Sequence, residues 1–453
     1  MPNNPMLAGR FLCAALCLLT TNIPAQTIDL TVDLATPTNT PEAAVNAALA
    51  DICSRLSNQT SLPSPTQELF AVCTQLTDPA LDYNVRLRAL RAVSAKASSA
   101  QTNLTTRAPF GWNGDAIGRR IAALRRGTTG FSLADLQLQL EQQIVPANAL
   151  LAQRGGAAGD ALGSEVTTKW GGFVSGNLAF GSQDDTPTEE GFDADSQLFV
   201  GGVDYRLDER RFVGAALGIT TNDVSLIDGR GGIDGSGFNI TLYGAFFPAQ
   251  KWYLEGTMHL GRGDYDLTRN INYSAAANTY SRTATSSTQS KQLGFSATLG
   301  TEHLLKNGIL ADLSAMLNFS SSDIGEFNES NGAEFNLHIE KQSIDTRSLH
   351  FAVDMRKPFS QRWGVLTPNA TAIMVYELET DGQDIAAHFL ADPGAARFSY
   401  PTADRDDMYF VLAAGTSMTY AKGASSFLQV QNLIGLANYE QLTFSAGYRR
   451  ELP

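Results

Sequence analysis

From residue 169 onward, apolar and polar positions alternate with a period of two. Ile309, Ala311, Leu313, Ala315, Leu317 and Phe319 share one face, and Leu310, Asp312, Ser314, Met316 and Asn318 share the other. Val213, Ala215, Leu217 and Ile219 alternate with Gly214, Ala216, Gly218 and Thr220. The same rhythm sets Leu349, Phe351, Val353 and Met355 against His350, Ala352 and Asp354, and Leu442, Phe444, Ala446 and Tyr448 against Thr443, Ser445 and Gly447. One face is apolar and the other small or polar, the signature of strands rather than helices. A soluble sandwich would fill its narrow inner face with bulky Val, Ile and Leu. In hydrocarbon every backbone N–H and C=O must pair within the protein, which leaves helices or closed barrels. A barrel with a wet bore places apolar side chains toward lipid and small or polar ones inside.

The expected fold is therefore an all-β transmembrane barrel of twelve antiparallel up-and-down strands, preceded by a small α-helical domain and a pore helix. The candidate strands are about 169–181, 191–206, 211–226, 235–248, 250–272, 287–305, 308–322, 341–357, 363–379, 407–421, 425–435 and 441–452. Trp170, Tyr205, Phe246, Trp252, Trp363, Tyr376, Tyr420 and Tyr439 sit near strand ends and fit interfacial aromatic girdles. Asp208-Glu209 and Lys306-Asn307 read as short periplasmic turns, and 181–190, 273–286, 323–334 and 380–404 as outer loops. Glu255, Asp312 and Glu377 fall on bore-facing positions, where they would line a hydrated pore.

Residues 40–153 follow a helical period instead. Thr40 and Pro41 open a run in which Val45, Leu49, Ile52 and Leu56 recur on one stripe. Thr66–Leu76 carries Leu69, Phe70, Cys73 and Leu76, and a third helix is expected from Pro79 to Ala100. Ala116–Arg126 is a short basic helix ended by Gly127; it could touch anionic lipid, but a solvated face is the preferred reading.

Residues 1–25 read as an export signal, with Arg10 before the apolar Phe11–Leu19 and cleavage between Ala25 and Gln26. Cys13 and Cys17 would leave with it. Cys53 and Cys73 remain, and an oxidising periplasm makes them a disulfide pair. Closing that loop stabilises by roughly 3 kcal/mol in the chain-entropy model. The expected division is 1–25 signal, 26–130 helical passenger, 131–165 pore helix and linker, and 166–453 barrel.

Composition narrows function by exclusion. The 453 residues carry 33 Lys+Arg against 46 Asp+Glu, a net charge of −13, which disfavours nucleic-acid binding. All five histidines lie at 259 or beyond, leaving no base in the passenger. No GxSxG elbow, HExxH or P-loop occurs. Neither catalysis nor a metal or other cofactor is expected. Arg262-Gly263-Asp264 spells an attachment tripeptide, but it lies within a candidate strand.

Taken together, the barrel segments resemble the autotransporter β-domain of type V secretion. The resemblance runs through Trp170-Gly171-Gly172-Phe173-Val174-Ser175-Gly176, Gly191-Phe192-Asp193-Ala194-Asp195 and Gly201-Gly202-Val203-Asp204-Tyr205-Arg206. It continues with Val213-Gly214-Ala215-Ala216-Leu217-Gly218, Leu242-Tyr243-Gly244 and Gly261-Arg262-Gly263-Asp264-Tyr265-Asp266 with Arg269. Gly364-Val365-Leu366-Thr367-Pro368, Asp406-Asp407 and the closing Gly447-Tyr448-Arg449-Arg450-Glu451-Leu452 complete it. The basic segment around Arg119-Arg120-Ile121 also looks like one that precedes such barrels.

The resemblance implies Sec export, insertion by the barrel-assembly machinery into an outer membrane of lipid and lipopolysaccharide, and a passenger carried to the surface of a Gram-negative cell through a monomeric barrel. Tyr448, Arg450 and Leu452 would form the assembly signal, with Leu452 where the family has an aromatic residue. A helix upstream of the first strand would stay in the pore, and Leu133–Gln153 is the candidate, about 30 Å long if fully helical. Asn148 stands between alanines rather than beside a second asparagine, so cleavage inside the pore is not expected. Display of the helical passenger, for adhesion or an envelope role, competes with a porin-like channel plugged by its own N-terminal domain.

Overall fold

The computed structural model describes residues 39–105 apart from 60; residues 117, 118, 120, 121 and 124; 137–140 and 143–146; and 169–451 apart from 250, 276, 277 and 421–423. The export signal, the Ala25–Gln26 junction and Leu452 lie outside the described residues.

Twelve strands close into one barrel. In chain order they are β1 (Trp170–Gln183), β2 (Phe192–Asp208), β3 (Arg211–Leu226), β4 (Gly231–Ala249), β5 (Trp252–Ala275), β6 (Asn278–Leu304), β7 (Leu310–Ile324), β8 (Gln342–Arg356), β9 (Gly364–Glu377), β10 (Met408–Tyr420), β11 (Ser425–Ile434) and β12 (Tyr439–Glu451). Each pairs antiparallel with its chain neighbours, and β12 pairs with β1 from Tyr439↔Gln183 to Glu451↔Gly171. No edge remains between first and last strand, so the backbone of the cylinder satisfies itself.

The side chains divide as the alternation requires. Leu217 is 50% exposed and Leu428 55%, on the outer face; Asn177 at 2% and Thr443 at 3% point into the bore. An apolar surface this extensive is unsuited to water and matches a lipid-facing wall. Aromatic motif residues lean across glycines of the neighbouring strand inside the wall. A Cβ on Gly214 would run into the ring of Tyr243, its partner on β4. Gly300 faces Tyr253 in the same way. The glycines in the repeated motifs are thus sockets for rings.

Turns and loops segregate to opposite ends. Short links join β2–β3, β4–β5, β6–β7, β8–β9 and β10–β11 at the end where β1 starts and β12 finishes. Short turns and both chain ends mark the periplasmic side of such barrels, and longer loops mark the surface side. Trp170 packs on Tyr205 with ring centroids 4.8 Å apart, and Trp363 on Tyr420 at 5.6 Å, at the short-turn end. Tyr439 is an exception to the expected girdle: it is buried, and its hydroxyl donates to Gln441 Oε1 at 2.9 Å.

The long-loop end departs from the sequence reading. Residues 273–286, expected as a loop, continue the β5–β6 ladder through Ser274↔Thr279. The stretches 323–334 and 380–404 contribute to a second sheet of four short strands, ordered Phe327–Asn328, Leu337–Ile339, Asp384–Phe389, Phe398–Pro401.

Helices α1 (Pro41–Leu56), α2 (Ser64–Leu76) and α3 (Tyr83–Val93) pack on that end. Thr40 Oγ1 accepts from Ala43 N at 3.2 Å, and Asp82 caps α3 through Val85 N at 3.1 Å. Cys53 and Cys73 form a disulfide that ties α1 to α2, with Cα atoms 5.7 Å apart. The expected third helix breaks in two. Ser94 is extended, and its hydroxyl donates to Arg91 O while accepting from Lys96 N, which ends α3 and starts a separate helix, α4, over 97–105.

Replacing Gly214 with Val should displace Tyr243 and sharply reduce the heat-modifiable, folded fraction on unheated gels. Gly176→Ala, whose added Cβ meets nothing closer than 4.0 Å, should fold like the parent.

Candidate functional site: the bore and the helical cap

The bore holds a helix drawn from the chain upstream of the barrel. Among the described residues, 117, 118, 120, 121 and 124 are helical and form α5. Ile117, Ile121 and Leu124 recur at i, i+4 and i+7, and all are buried. They pack on one wall made by Phe173, Ala179, Leu198, Val200, Phe212, Ala216, Tyr243 and Ala245 of β1–β4. The bore is therefore not uniformly polar: one side presents an apolar track that matches the apolar stripe of α5.

A buried ion pair fixes the register of this contact. Arg120 Nε donates to Asp204 Oδ2 at 2.6 Å, with both residues 3% exposed. The Arg120 guanidinium also lies 5.6 Å from the Phe173 ring centroid. Below it, Arg206 donates to Leu124 O at 3.2 Å. Losing either partner of a buried pair leaves a bare charge, a penalty of about 3–5 kcal/mol. The pair specifies position more than it adds net stability.

The helix expected over Leu133–Gln153 is not formed at the part of it that is described. Gln137–Leu140 and Gln143–Pro146 pair as a short antiparallel hairpin, and the remainder of 133–153 lies outside the described residues. The bore is occupied instead by the basic helix that composition favoured as a solvated face. Its arginine finds an aspartate of the Gly-Gly-Val-Asp-Tyr-Arg motif.

Above α5, α4 sits at the long-loop mouth. Ala97, Ser98, Ser99, Ala100, Gln101, Thr102, Asn103, Leu104 and Thr105 make a small, mostly polar helix that is almost wholly buried, with a narrow stripe of Ala97, Ala100 and Leu104 turned to the hydrophobic cluster. Thr102 Oγ1 donates to Gln342 Oε1 at 2.6 Å, and Glu190 N donates to Ser99 Oγ at 2.8 Å. Two alanines and one leucine make that stripe a faint signal beside the six polar residues around it.

The described residues thus place the cap at the long-loop end, α4 at the mouth, and Leu124 beside Arg206 at the short-turn end. Among the described residues, nothing fills the bore opposite α5. Two neighbouring cavities of about 330 and 290 Å³ share Gly118, Glu255 and His350 in their walls. Asp312 lies in the lower one and accepts from Tyr253 Oη at 2.6 Å. Glu377 lies in the upper one beside Tyr409, and Glu255 borders both. Arg450 and Tyr448 are on β12, Tyr448 outward and 46% exposed.

Charged contacts dock the cap to the rim. Lys96 Nζ donates to Asp185 Oδ1 at 2.9 Å and Thr186 O at 2.6 Å, while Arg91 reaches the other Asp185 oxygen at 3.2 Å. Arg269 grips Glu329 through Nε and a terminal nitrogen at 2.8 and 2.6 Å and donates to Ala92 O at 2.9 Å. Arg55 pairs with Asp392 at 2.7 Å. Beneath them, Val45, Leu49, Leu69, Leu90 and Val93 of the cap share one hydrophobic cluster with Phe192, Tyr265 and Ile271 of the barrel and Phe335, Leu337, Phe389 and Tyr400 of the loops.

Among known proteins, the autotransporter beta-domain family matches residues 172–431. The chain belongs to that family. Its barrel is an outer-membrane autotransporter domain of a Gram-negative type, and the barrel itself is not an enzyme. The translocator domain of the autotransporter NalP from Neisseria meningitidis shares its fold, with 14% identity over 68% of this chain and 96% of that one and a TM-score of 0.50. The beta domain of the Bordetella autotransporter BrkA is 16% identical over 63% of this chain and all of that one, with a TM-score of 0.45. The Ralstonia pickettii toluene transporter TbuX gives 12% over 67% and 93%, with a TM-score of 0.40. No curated protein matches the sequence.

Acidity acts on the cap joint through opposed carboxylates. Burial raises Asp185, but Lys96, Arg91 and Arg230 outweigh it and hold the carboxyl below its ordinary value. Burial likewise raises Asp392, while Arg55 and the Ala396 and Gly394 N–H groups lower it further. Burial pushes Glu190 up despite Arg230. The two depressed groups stabilise the joint fully above the unfolded carboxylate pKa, about 4, and lose that contribution as pH falls through their folded values. Glu190 acts with the opposite sign. Hydrogen exchange in 41–93 should accelerate relative to the barrel below about pH 4, and Asp185→Asn should raise exchange at neutral pH while flattening the acid response.

Proposed function

We propose that this autotransporter displays its α1–α4 region at the cell surface as a permanently attached helical cap, with α5 left in the bore along the route that the chain took outward. The observation that carries this reading is the hydrophobic cluster shared by α1–α3, the barrel rim and the four-stranded loop sheet. A cap whose core is completed by its own barrel's loops is built to stay rather than to be released. The small size of the cap supports a binding or envelope role more than catalysis, since it contains no histidine and its five acidic residues are engaged: Glu42 by Arg91, Asp51 by Arg55, Glu68 by Ser64, and Asp78 and Asp82 by backbone N–H groups. Sec export, barrel assembly and contact with lipopolysaccharide are the partnerships that this reading requires.

The alternative of a periplasmic plug places the same cap at the other end. Its position beyond the long loops, away from the short turns and both barrel termini, favours display. The wet half of the bore gives the cap a second consequence, closure of that path at the surface.

A cysteine placed at exposed Ala50 or Ala71, in cells otherwise intact, should react with a membrane-impermeant maleimide as fast as one placed at Asp266 in the long-loop half of β5. Protection of the cap positions until the outer membrane is permeabilised would contradict display. Deleting 39–105 should raise single-channel conductance in planar bilayers.

A further inference from the structure

The four-stranded loop sheet has two unlike faces. Leu337, Ile339, Ile385, Ala387, Phe389, Phe398 and Tyr400 are buried beneath the cap. The opposite face carries, on adjoining strands, Asn328, His338 and His388 in one cross-strand row. Two of the five histidines in the chain are therefore direct register partners at the surface end.

We propose that His338 and His388 form a binding site for a divalent transition-metal cation of the zinc, nickel or copper(II) type, held by two imidazole nitrogens with water in the remaining positions. The rings lie with centroids 4.8 Å apart and planes inclined at 37°, so that only side-chain rotation separates them from joint contact with one ion. Both side chains are partly exposed, which leaves room for water ligands and an open approach. His338 Nδ1 is 2.6 Å from Asn328 Oδ1. An amide oxygen accepts there, so Nδ1 carries the proton and Nε2 keeps its lone pair for a metal. A hydrogen bond from the non-ligating nitrogen is the usual orienting device for a metal-bound histidine.

The nearby cations do not oppose a metal ion, since Arg55 is paired with Asp392. Arg397, which follows His388 across the sheet, is drawn onto Glu340 through contacts of 2.6 and 3.1 Å, and its charge is matched there. Asp392 and Glu340 lie near enough to act on His388 as anions. Neutral imidazoles are the ligating form, and they select these metals over calcium or magnesium. Among the described residues no group of three or more His, Cys, Asp and Glu side chains is arranged around a common point. The site is thus a two-ligand surface site, an open clip that bridges Leu337–Ile339 to Asp384–Phe389. Nothing in the spacing along the chain shows it, because 338 and 388 are brought together only when two separate loops pair.

The test uses the full chain, folded in detergent with its disulfide intact and without a polyhistidine tag. Zinc chloride is titrated by calorimetry, with the heat-modifiable gel shift checked for every variant. One ion per chain should bind to the parent. Binding should vanish in His338→Ala and His388→Ala, weaken by about tenfold in Asn328→Ala, and persist in His303→Ala at the other end of the barrel. Absence of saturable zinc binding by the parent overturns the proposal, whatever the variants do. Equal affinity in a folded His338→Ala/His388→Ala double variant overturns it as well.

Discussion

Backbone hydrogen bonding in a medium without water is the constraint on which this structure depends. An unpaired N–H or C=O costs several kcal/mol in hydrocarbon, and the pairing of β12 with β1 removes the last open edge. Once the cylinder must close, the two faces of every strand are assigned: one meets lipid and the other meets the bore. The alternation of Leu217 with Gly218, or Leu317 with Asn318, follows from that closure. The glycine sockets under Tyr243 and Tyr253 follow as well, because a wall that carries rings inside must leave them room.

The bore imposes its own selection on whatever it contains. Its β1–β4 wall carries an apolar track that receives Ile117, Ile121 and Leu124, and a buried pair, Arg120 with Asp204, fixes the axial position. The mouth is polar and takes a polar helix. Outside, the cap has the disulfide of a small exported domain but not a complete core; the loops supply the rest. Cap and α5 are thus held by apolar packing, and α4 between them by hydrogen bonds as well.

The barrel was legible because period-two alternation leaves a local mark in every strand, and the repeated glycine–aromatic motifs are local too. The first two helices were legible for the same reason, through Val45, Leu49, Ile52 and Leu56 and through the cysteines at 53 and 73. What escaped is what depends on distant partners. The Leu133–Gln153 segment has the composition of a helix but pairs in part as a hairpin, while the basic 116–126 segment looks fit for solvent until Asp204 is opposite its arginine. Helix α4 has only a faint stripe of Ala97, Ala100 and Leu104, since most of its residues are buried among polar groups. Tyr439 has an interfacial residue's identity and position, yet its hydroxyl is claimed by Gln441 inside. The loop sheet and its histidine pair arise from segments that carry no mutual signal along the chain.

The most direct test of the account is a nitroxide scan of β7, one label at a time from Leu313 to Phe319, in protein reconstituted into lipid. Collision with oxygen, which partitions into lipid, should peak at 313, 315, 317 and 319, and collision with a water-soluble nickel chelate should peak at 314, 316 and 318. Uniform accessibility along the strand, or the inverse alternation, would contradict a lipid-facing barrel built on this register.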